Sequence, residues 1–438
     1  MRNYNRITPE GTKDLLLEEC LVRRETEEKI RSVFQSQGYD ELVTPGLEFF
    51  DVFQSEAVQY PQEQLYKLTD SKGRLIVLRP ESTAPIARVV ATRLREAMLP
   101  QRLCYMQTAY RFEPALKGRS DEFMQAGAEL IGSDSYMADL EMASMAIDVL
   151  KRCNETSYYL ELGDAGIFKE LMRELNAAPA TKEEIRYLIE TKNYSALNDL
   201  LDTLGDNQLI HALKKLPSLF GGEEVFDKME QLYCTPQIQE MLQYLRKLYR
   251  EIAALIGTER LSVDLGIVNK ADYYTGMILK GYLEGYGDEV LSGGRYNKLL
   301  ASFGYDVPAV GFAVNVDAVA KVAMKKNPRT KKAADAAIYA APGYEAAAIA
   351  LAETKREAGL TVEFALVSSA ELGLLDVIHT TPDSRLPQGQ VVDIFNAVKG
   401  ERVKQDTGSQ FRSLKVHEKL RFYPAFFCCA LHLSNQIP

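Results

Sequence analysis

The chain has 438 residues, 46% apolar and 26% charged, with a formal net charge of −9. This composition suits a large globular core spread over about three ordinary domains, and the acidic balance weighs against a protein whose main task is gripping a phosphate backbone. Six scattered cysteines without CxxC spacing and only four histidines weigh against a zinc site or a disulfide framework, so no metal or cofactor is expected and a reducing cytoplasm is.

The opening stretch MRNYNRITPEG has no apolar core and reads as no secretion signal, and no apolar run approaches the length of a membrane span. Residues 12–37 read as a helix, with Leu16, Cys20, Ile30, Val33 and Phe34 at helical spacing and Gly38 as its stop. YDELVTPGLEFF follows as a strand broken by Pro45 and Gly46, and LYKLTDSKGRLIVL as a hairpin turning at Asp70 to Gly73. Ser82, Thr83 and Pro85 mark a helix start, with the helix running to about Met98. Strand character returns over about 103–131. Residues 174–256 show only helical periodicity, with breaks near Gly205 and at Gly221-Gly222. Strands resume at 261 and continue past Gly293 in the same style, which marks the helical stretch as an insertion in one mixed α/β domain. After a basic linker, AAIYAAPGYEAAAIALAETKREAGLTVEFAL reads as strand, helix, strand; beyond about 366 the pattern decays into an apolar, cysteine-rich tail with no functional account.

The segment CYMQTAYRFEPALKGRSDEFMQAGAELIG, 104–132, carries the most information. Strand alternation puts Gln107, Ala109, Arg111 and Glu113 on one face, and Gln125, Gly127 and Glu129 on one face of the returning strand. Paired antiparallel, the two strands merge these into one polar surface, with Gly127 leaving a gap among longer side chains. Such a surface is either the solvated side of an open sheet or a pocket floor; glycine and alanine at alternate positions favour the floor. The loop PALKGRSD holds Lys117 and Arg119 around Gly118, suited to a phosphate-like anion or equally to a plain basic turn. In RPESTAP, Ser82 and Thr83 can serve as helix caps and Glu81 as a first-turn charge. SGGRYNKL, 292–299, can be a tight turn into a helix. LGIVNKADYYTG, 265–276, ends in two adjacent tyrosines beside a glycine, the character of a pocket wall.

Together these segments resemble histidyl-tRNA synthetases. RPEST, YRFEPALKGRSDEFMQAGAELIG, DYYTG, SGGRY and PAVGFAVNVDAVA follow the family's order, joined by PEGTKDLL and VTPGLE, over residues 1 to about 325. The resemblance implies an α/β class II synthetase-like domain over 1–325, an antiparallel sheet flanked by helices with the insertion at about 174–256, and a small C-terminal α/β domain over 334–438. It also implies self-association around TPGLE. By position it implies that Glu81 and Thr83 hold a substrate α-amino group with Gln125 assisting. Glu129 and Tyr274 would address the imidazole nitrogens, Tyr273 and Tyr296 would wall the ring, and Arg111 would meet the carboxylate.

The departures from the family shape the expected function. Asn269 stands where such synthetases have an arginine three residues before the aspartate of DYY, and Ala318 stands where a helix arginine braces ATP. Pro114, Ala115 and Asp121 replace the arginine-proline pair and a further arginine of the preceding loop. Each missing preorganised donor commonly costs about two to three powers of ten in rate, and Lys270 offers no bidentate fork. The chain therefore resembles the synthetase paralogues that serve as regulatory subunits of ATP phosphoribosyltransferase. That resemblance implies partnership with a short-form catalytic subunit at the first step of histidine biosynthesis, feedback sensing of free histidine, and no aminoacylation or tRNA role. Closure around the ligand would involve the Gly293-Gly294 turn and the loop 114–121. The rival readings are a divergent histidyl-tRNA synthetase and an amino-acid-binding protein serving another enzyme.

Overall fold

A computed structural model describes residues 4–55, 58, 60–112, 120–153, 157–268, 273–328, 334–340, 345–364 and 391–393. The described residues up to 328 pack as one unit and those from 334 onwards belong to another. In the first unit, α1 (Leu17–Ser36) buries Ile30, Val33 and Phe34 at the spacing the sequence shows. It starts five residues later than the periodicity predicts, because the preceding PEGT stretch is a loop whose Gly11 carbonyl accepts from Asp121 N–H at 2.7 Å. β1 (Asp40–Glu41) and β2 (Leu47–Phe49) flank the TPG break as expected. β3 (Lys67–Thr69) and β4 (Leu75–Leu78) form the hairpin, its turn held by Asp70 Oδ1 accepting from Lys72 N–H and Arg74 N–H.

α2 (Thr83–Thr92) is shorter than the span to Met98. The chain leaves the helix after Thr92, and Gln101 Nε2 donates to the Leu94 carbonyl in the connecting turn. β5 (Gln101–Tyr110) and β6 (Glu122–Ile131) pair antiparallel with Gln107 opposite Gln125 and Tyr105 opposite Gly127, as the alternation requires. Two elements that the patterning does not announce fill the next interval, α3 (Tyr136–Cys153) and β7 (Tyr158–Asp164). The helical insertion begins at Ala165: α4 (Ala165–Glu174), α5 (Pro179–Glu190), α6 (Tyr194–Asp202), α7 (Gln208–Lys215), a short β8 (Phe220–Gly221), α8 (Glu224–Leu232) and α9 (Pro236–Ile256). β9 (Leu261–Asp264), β10 (Met277–Leu283), β11 (Glu289–Arg295), β12 (Ala309–Asn315) and α10 (Val316–Lys326) complete the unit.

Nine strands make one sheet, in the order β1-β5-β6-β12-β11-β10-β7-β9-β8. β5, β6, β12, β11, β10 and β7 are joined antiparallel, and the pairs β1–β5 and β7–β9 are parallel. Because β7 precedes the helices and β9 follows them, the insertion leaves and re-enters the same sheet. One face packs Ala126, Ala128, Val310, Phe312 and Leu279 under α1, α3, α9 and α10. The opposite face packs Tyr105, Ile278, Tyr274 and Tyr296 against β4 and α2. Each Leu, Ile or Phe buried in these layers contributes about 1.5–3 kcal/mol of transfer free energy.

In the second unit, β13 (Ala336–Ala340), α11 (Glu345–Glu357) and β14 (Val362–Phe364) form the strand, helix, strand unit, with β13 and β14 parallel. β15 (Val391–Asp393) pairs antiparallel with β13. The rest of the tail lies outside the described residues. Among those residues, no helix is long and apolar enough to cross a membrane.

Candidate functional site

The start of α2 lies against the sheet face formed by β6, β12 and β11. Glu81 caps this helix, its carboxylate accepting from Thr83 N–H at 2.6 Å and Ala84 N–H at 3.0 Å. This corrects the capping role expected of Ser82 and Thr83. Ser82 makes no side-chain cap bond, and Thr83 turns its hydroxyl to Glu129 Oε1 at 2.9 Å. The first-turn N–H groups meet a carboxylate rather than a hydroxyl because the charge is the stronger acceptor at the positive helix end. Gln125 Oε1 accepts from Ser82 N–H at 3.0 Å, tying the helix start to β6.

Glu129 is the centre of the site and is 1% exposed. Its Oε1 faces Thr83, and its Oε2 accepts from the Tyr296 hydroxyl. Gly311, its neighbour on β12, makes the room, since a Cβ there would stand 1.8 Å from Glu129 Oε2. Tyr273 and Tyr274 have ring centroids 4.8 Å apart, and Tyr273 meets Tyr296 edge-to-face at 5.8 Å. Tyr274 is buried, and Lys169 of α4 donates to its carbonyl at 3.0 Å. On its far side Tyr274 borders a separate cleft of about 420 Å³ between the 267–268 segment, α4 and α5.

Gly127 leaves no open gap, which corrects the sequence expectation. The phenol of Tyr105 crosses above it, and a Cβ on Gly127 would lie 2.4 Å from that ring. The strand period carried two residues further back from Gln107 would have found Tyr105. Gln107 itself is withdrawn from the site: its Oε1 accepts from the buried Arg79 at 2.9 Å and from Thr44 N–H at 3.1 Å. Arg111 stacks on Phe123 with its guanidinium carbon 4.7 Å from the ring centre and donates to the Tyr60 hydroxyl at 3.3 Å.

Burial governs the electrostatics of this site. Burial pushes the Glu129 carboxyl up to about 8, against the lowering by Tyr296 and Thr83, with Glu81 nearby adding to the rise. Burial also raises Glu81, opposed by the Ala84 and Thr83 N–H groups and by the charge of Arg111. Among the described residues neither carboxylate forms a salt bridge. The Tyr105 hydroxyl and Ser82 Oγ are buried with no hydrogen-bond partner among those residues. An unmet buried hydroxyl costs about 1–3 kcal/mol. This arrangement suits a polar ligand bringing a cation and N–H donors.

The structure brings Glu81, Thr83, Gln125, Glu129, Tyr273, Tyr274 and Tyr296 together, with Arg111 at the edge beside Glu81. Lys117, Arg119, Pro114, Ala115, Asn269 and Lys270 lie outside the described residues. Asp121 is buried, not presented to a phosphate: its Oδ2 accepts from the Tyr66 hydroxyl, and Gly11 packs against it. Ser292 to Arg295 are strand rather than turn, so Gly293 and Gly294 are no hinge. Both pair on two sides, and a Cβ on either would stand 2.4 Å from a neighbouring backbone oxygen. Ala318 lies buried in the first turn of α10, its N–H donating to Asn315 Oδ1 at 3.0 Å.

Residues 11–319 match the family model described as Histidyl-tRNA synthetase. The ATP phosphoribosyltransferase regulatory subunit of Clostridium kluyveri is 42% identical over 324 residues, 73% of this chain and 83% of the relative. That of Bacillus cereus is 35% identical over 377 residues, 84% of this chain and 88% of the relative. A crystal structure of an ATP phosphoribosyltransferase regulatory subunit/histidyl-tRNA synthetase from Bacillus halodurans superposes with a TM-score of 0.74 at 28% identity, covering 84% of this chain and 96% of that one. A histidyl-tRNA synthetase from Nostoc sp. matches in fold, with a TM-score of 0.66 at 20% identity over 83% of this chain and 86% of that one.

Proposed function

We propose a sensing role for this chain from a plain premise: it belongs to the histidyl-tRNA synthetase family, among the ATP phosphoribosyltransferase regulatory subunits. In this reading it assembles with a short-form catalytic subunit, supports the first step of histidine biosynthesis in the cytoplasm, and binds free histidine as the feedback signal. The observation that carries it is the pair of buried carboxylates, Glu81 and Glu129, joined through Thr83 and walled by tyrosines, with no salt bridge to either among the described residues. Free histidine supplies what these groups lack. Its α-ammonium suits Glu81 and Thr83, and an imidazole N–H suits Glu129, with the phenols of Tyr274 and Tyr296 meeting the ring edge.

The same site is poorly furnished for adenylate formation. Ala318 presents a methyl group in the core where an arginine would brace ATP, and one lost donor of that kind commonly costs about two to three powers of ten in rate. Self-association through the TPGLE region is part of the reading, supported by the exposed Val43, Leu47, Phe49, Leu68 and Leu75 around β2, β3 and β4. Histidine inhibits only by binding the less active arrangement of the complex more tightly, so pocket and interface are coupled in free energy.

Isothermal titration of histidine into the purified chain and into its complex with a short-form catalytic subunit tests this, with binding expected in both. Absence of binding in both, or brisk histidine-dependent exchange of pyrophosphate with ATP, overturns it; the latter would make the chain a synthetase.

A further inference from the structure

The walls of the candidate pocket are held from outside it by a buried polar cluster. Asp139 of α3 is 1% exposed, and both of its oxygens are engaged. Oδ1 accepts from Arg295 Nε at 2.9 Å, with Arg295 Nη2 at 2.6 Å. Oδ2 accepts at 2.5 Å from the hydroxyl of Tyr244, which sits midway along α9 of the helical insertion. Tyr244 in turn packs edge-to-face on Tyr136 at 5.6 Å, and Lys247 of the same helix stands 4.0 Å over that ring.

From Arg295 the cluster reaches both tyrosine walls within one residue. Arg295 Nη1 donates to the Ser133 carbonyl at 3.0 Å and to Asn297 Oδ1 at 3.1 Å, so the residues on either side of Tyr296 are fixed to each other. Tyr296 donates to Glu129 from between them. Thr275, next to Tyr274, donates its N–H to the Arg295 carbonyl at 2.7 Å, and its hydroxyl oxygen accepts from Asn297 N–H at 3.0 Å. The segment ending Tyr273-Tyr274-Thr275 is therefore tied to the backbone on either side of Tyr296, and the Arg295 guanidinium that braces this backbone shares its carboxylate with the insertion.

We propose that Asp139, Arg295 and Tyr244 are positioning residues for the ligand pocket, and that through Tyr244 the helical insertion responds to whether the pocket is filled. The inference rests on the reading of this site as a histidine sensor. Its physical content is reciprocity: if ligand seats Tyr296 and Tyr274 more firmly, it seats Arg295, Asp139 and Tyr244 more firmly, and loosening Tyr244 must weaken the ligand by the same factor. Among the described residues Tyr244 makes no hydrogen bond or ring contact with Glu81, Thr83, Gln125, Glu129, Tyr273, Tyr274 or Tyr296, and its hydroxyl bond to Asp139 is the polar link from α9 to Arg295.

The test uses the full chain and the variant Tyr244→Phe, which keeps the ring and removes one hydroxyl. Histidine affinity is read by titration, and amide hydrogen exchange is followed with and without histidine. In the unaltered chain, histidine is expected to slow exchange both at 81–87 and within α9, while α6 and α7 of the same insertion stay unchanged. Y244F is expected to bind histidine about three- to tenfold more weakly, in the range of coupling by residues remote from a ligand. It should keep protection at 81–87 and lose it in α9. Asp139→Asn should show the same pattern more strongly, and Y244F keeps the test decisive if that variant folds poorly. Unchanged affinity in Y244F, or binding by the unaltered chain without protection of α9, overturns the relay and leaves the sensor standing. No binding by the unaltered chain removes the sensor reading and this inference with it.

Discussion

Asp139 and the Glu81–Glu129 pair are both buried in the first unit, and the chain treats them in opposite ways. Around Asp139, an arginine and a tyrosine from distant parts of the sequence occupy both carboxylate oxygens, so the charge is compensated within the protein. Around Glu81 and Glu129, hydroxyls and backbone N–H groups are the donors, and no lysine or arginine forms a salt bridge to either among the described residues. The first is scaffold. The second receives no counter-charge from the described residues, and a buried carboxylate left that way shifts its proton affinity rather than staying ionised.

The largest expected effect tests the scaffold half. Asp139→Ala leaves Arg295 buried without its counter-charge, which costs about 3–5 kcal/mol of stability. At roughly 2–4 °C per kcal/mol for a unit of this size, thermal unfolding should move down by on the order of ten degrees. If it barely moves, the two clusters do not differ as described.

Glu129→Gln should separate stability from binding. Histidine affinity is expected to fall by about 2–4 kcal/mol, roughly 30- to 1,000-fold, as a buried charged hydrogen bond is lost. Unliganded stability should change the other way. The folded chain holds the Glu129 proton up to about 8 against an ordinary 4.5, so this group's stability is fully present below about pH 4.5 and lost as pH rises to about 8. Glutamine has no such loss, and its advantage over the unaltered chain should widen across that window in unfolding curves recorded from pH 5 to 8.

The same shift predicts proton release. At pH 7 the unliganded carboxyl is mostly protonated, and a ligand cation favours its ionised form. Titration in buffers of different ionisation heat should therefore report up to about one proton released on binding, and E129Q should report less. Gly311→Ala would set its methyl group against the buried Glu129 carboxylate and 2.6 Å from the Ala128 carbonyl oxygen, so it should lower unfolding stability as well as weaken histidine by about tenfold or more. The smallest effect belongs to its control, the exposed Gly287→Ala, with nothing within 4 Å of the added carbon.

Much of this site was legible along the chain. The period of two correctly put Gln107, Arg111, Gln125 and Glu129 on one side of the β5–β6 pair, and the motif order pointed to the family. What escaped was whatever depended on a partner elsewhere. Gln107 looked available and is taken by Arg79, while Asp121 looked like a charge facing a ligand and is buried under the N-terminal loop. Gly127 looked like a gap and is covered by Tyr105 from the neighbouring strand. Gly293 and Gly294 looked like a turn because glycines are common in turns; here they sit mid-strand, where close backbone neighbours on both sides leave no room for a Cβ.

The sequence by itself determined the alternating faces of β5 and β6, the run of helices set between strands, and which carboxylates and phenols the chain carries. These follow from the geometry of neighbouring residues, which acts over a few positions. Only the tertiary structure decided which buried acid receives a counter-charge. Asp139 meets an arginine 156 residues away, whereas Glu129 meets a tyrosine 167 residues away. Coulomb attraction and desolvation depend on distance through the folded chain, and no local pattern encodes that distance.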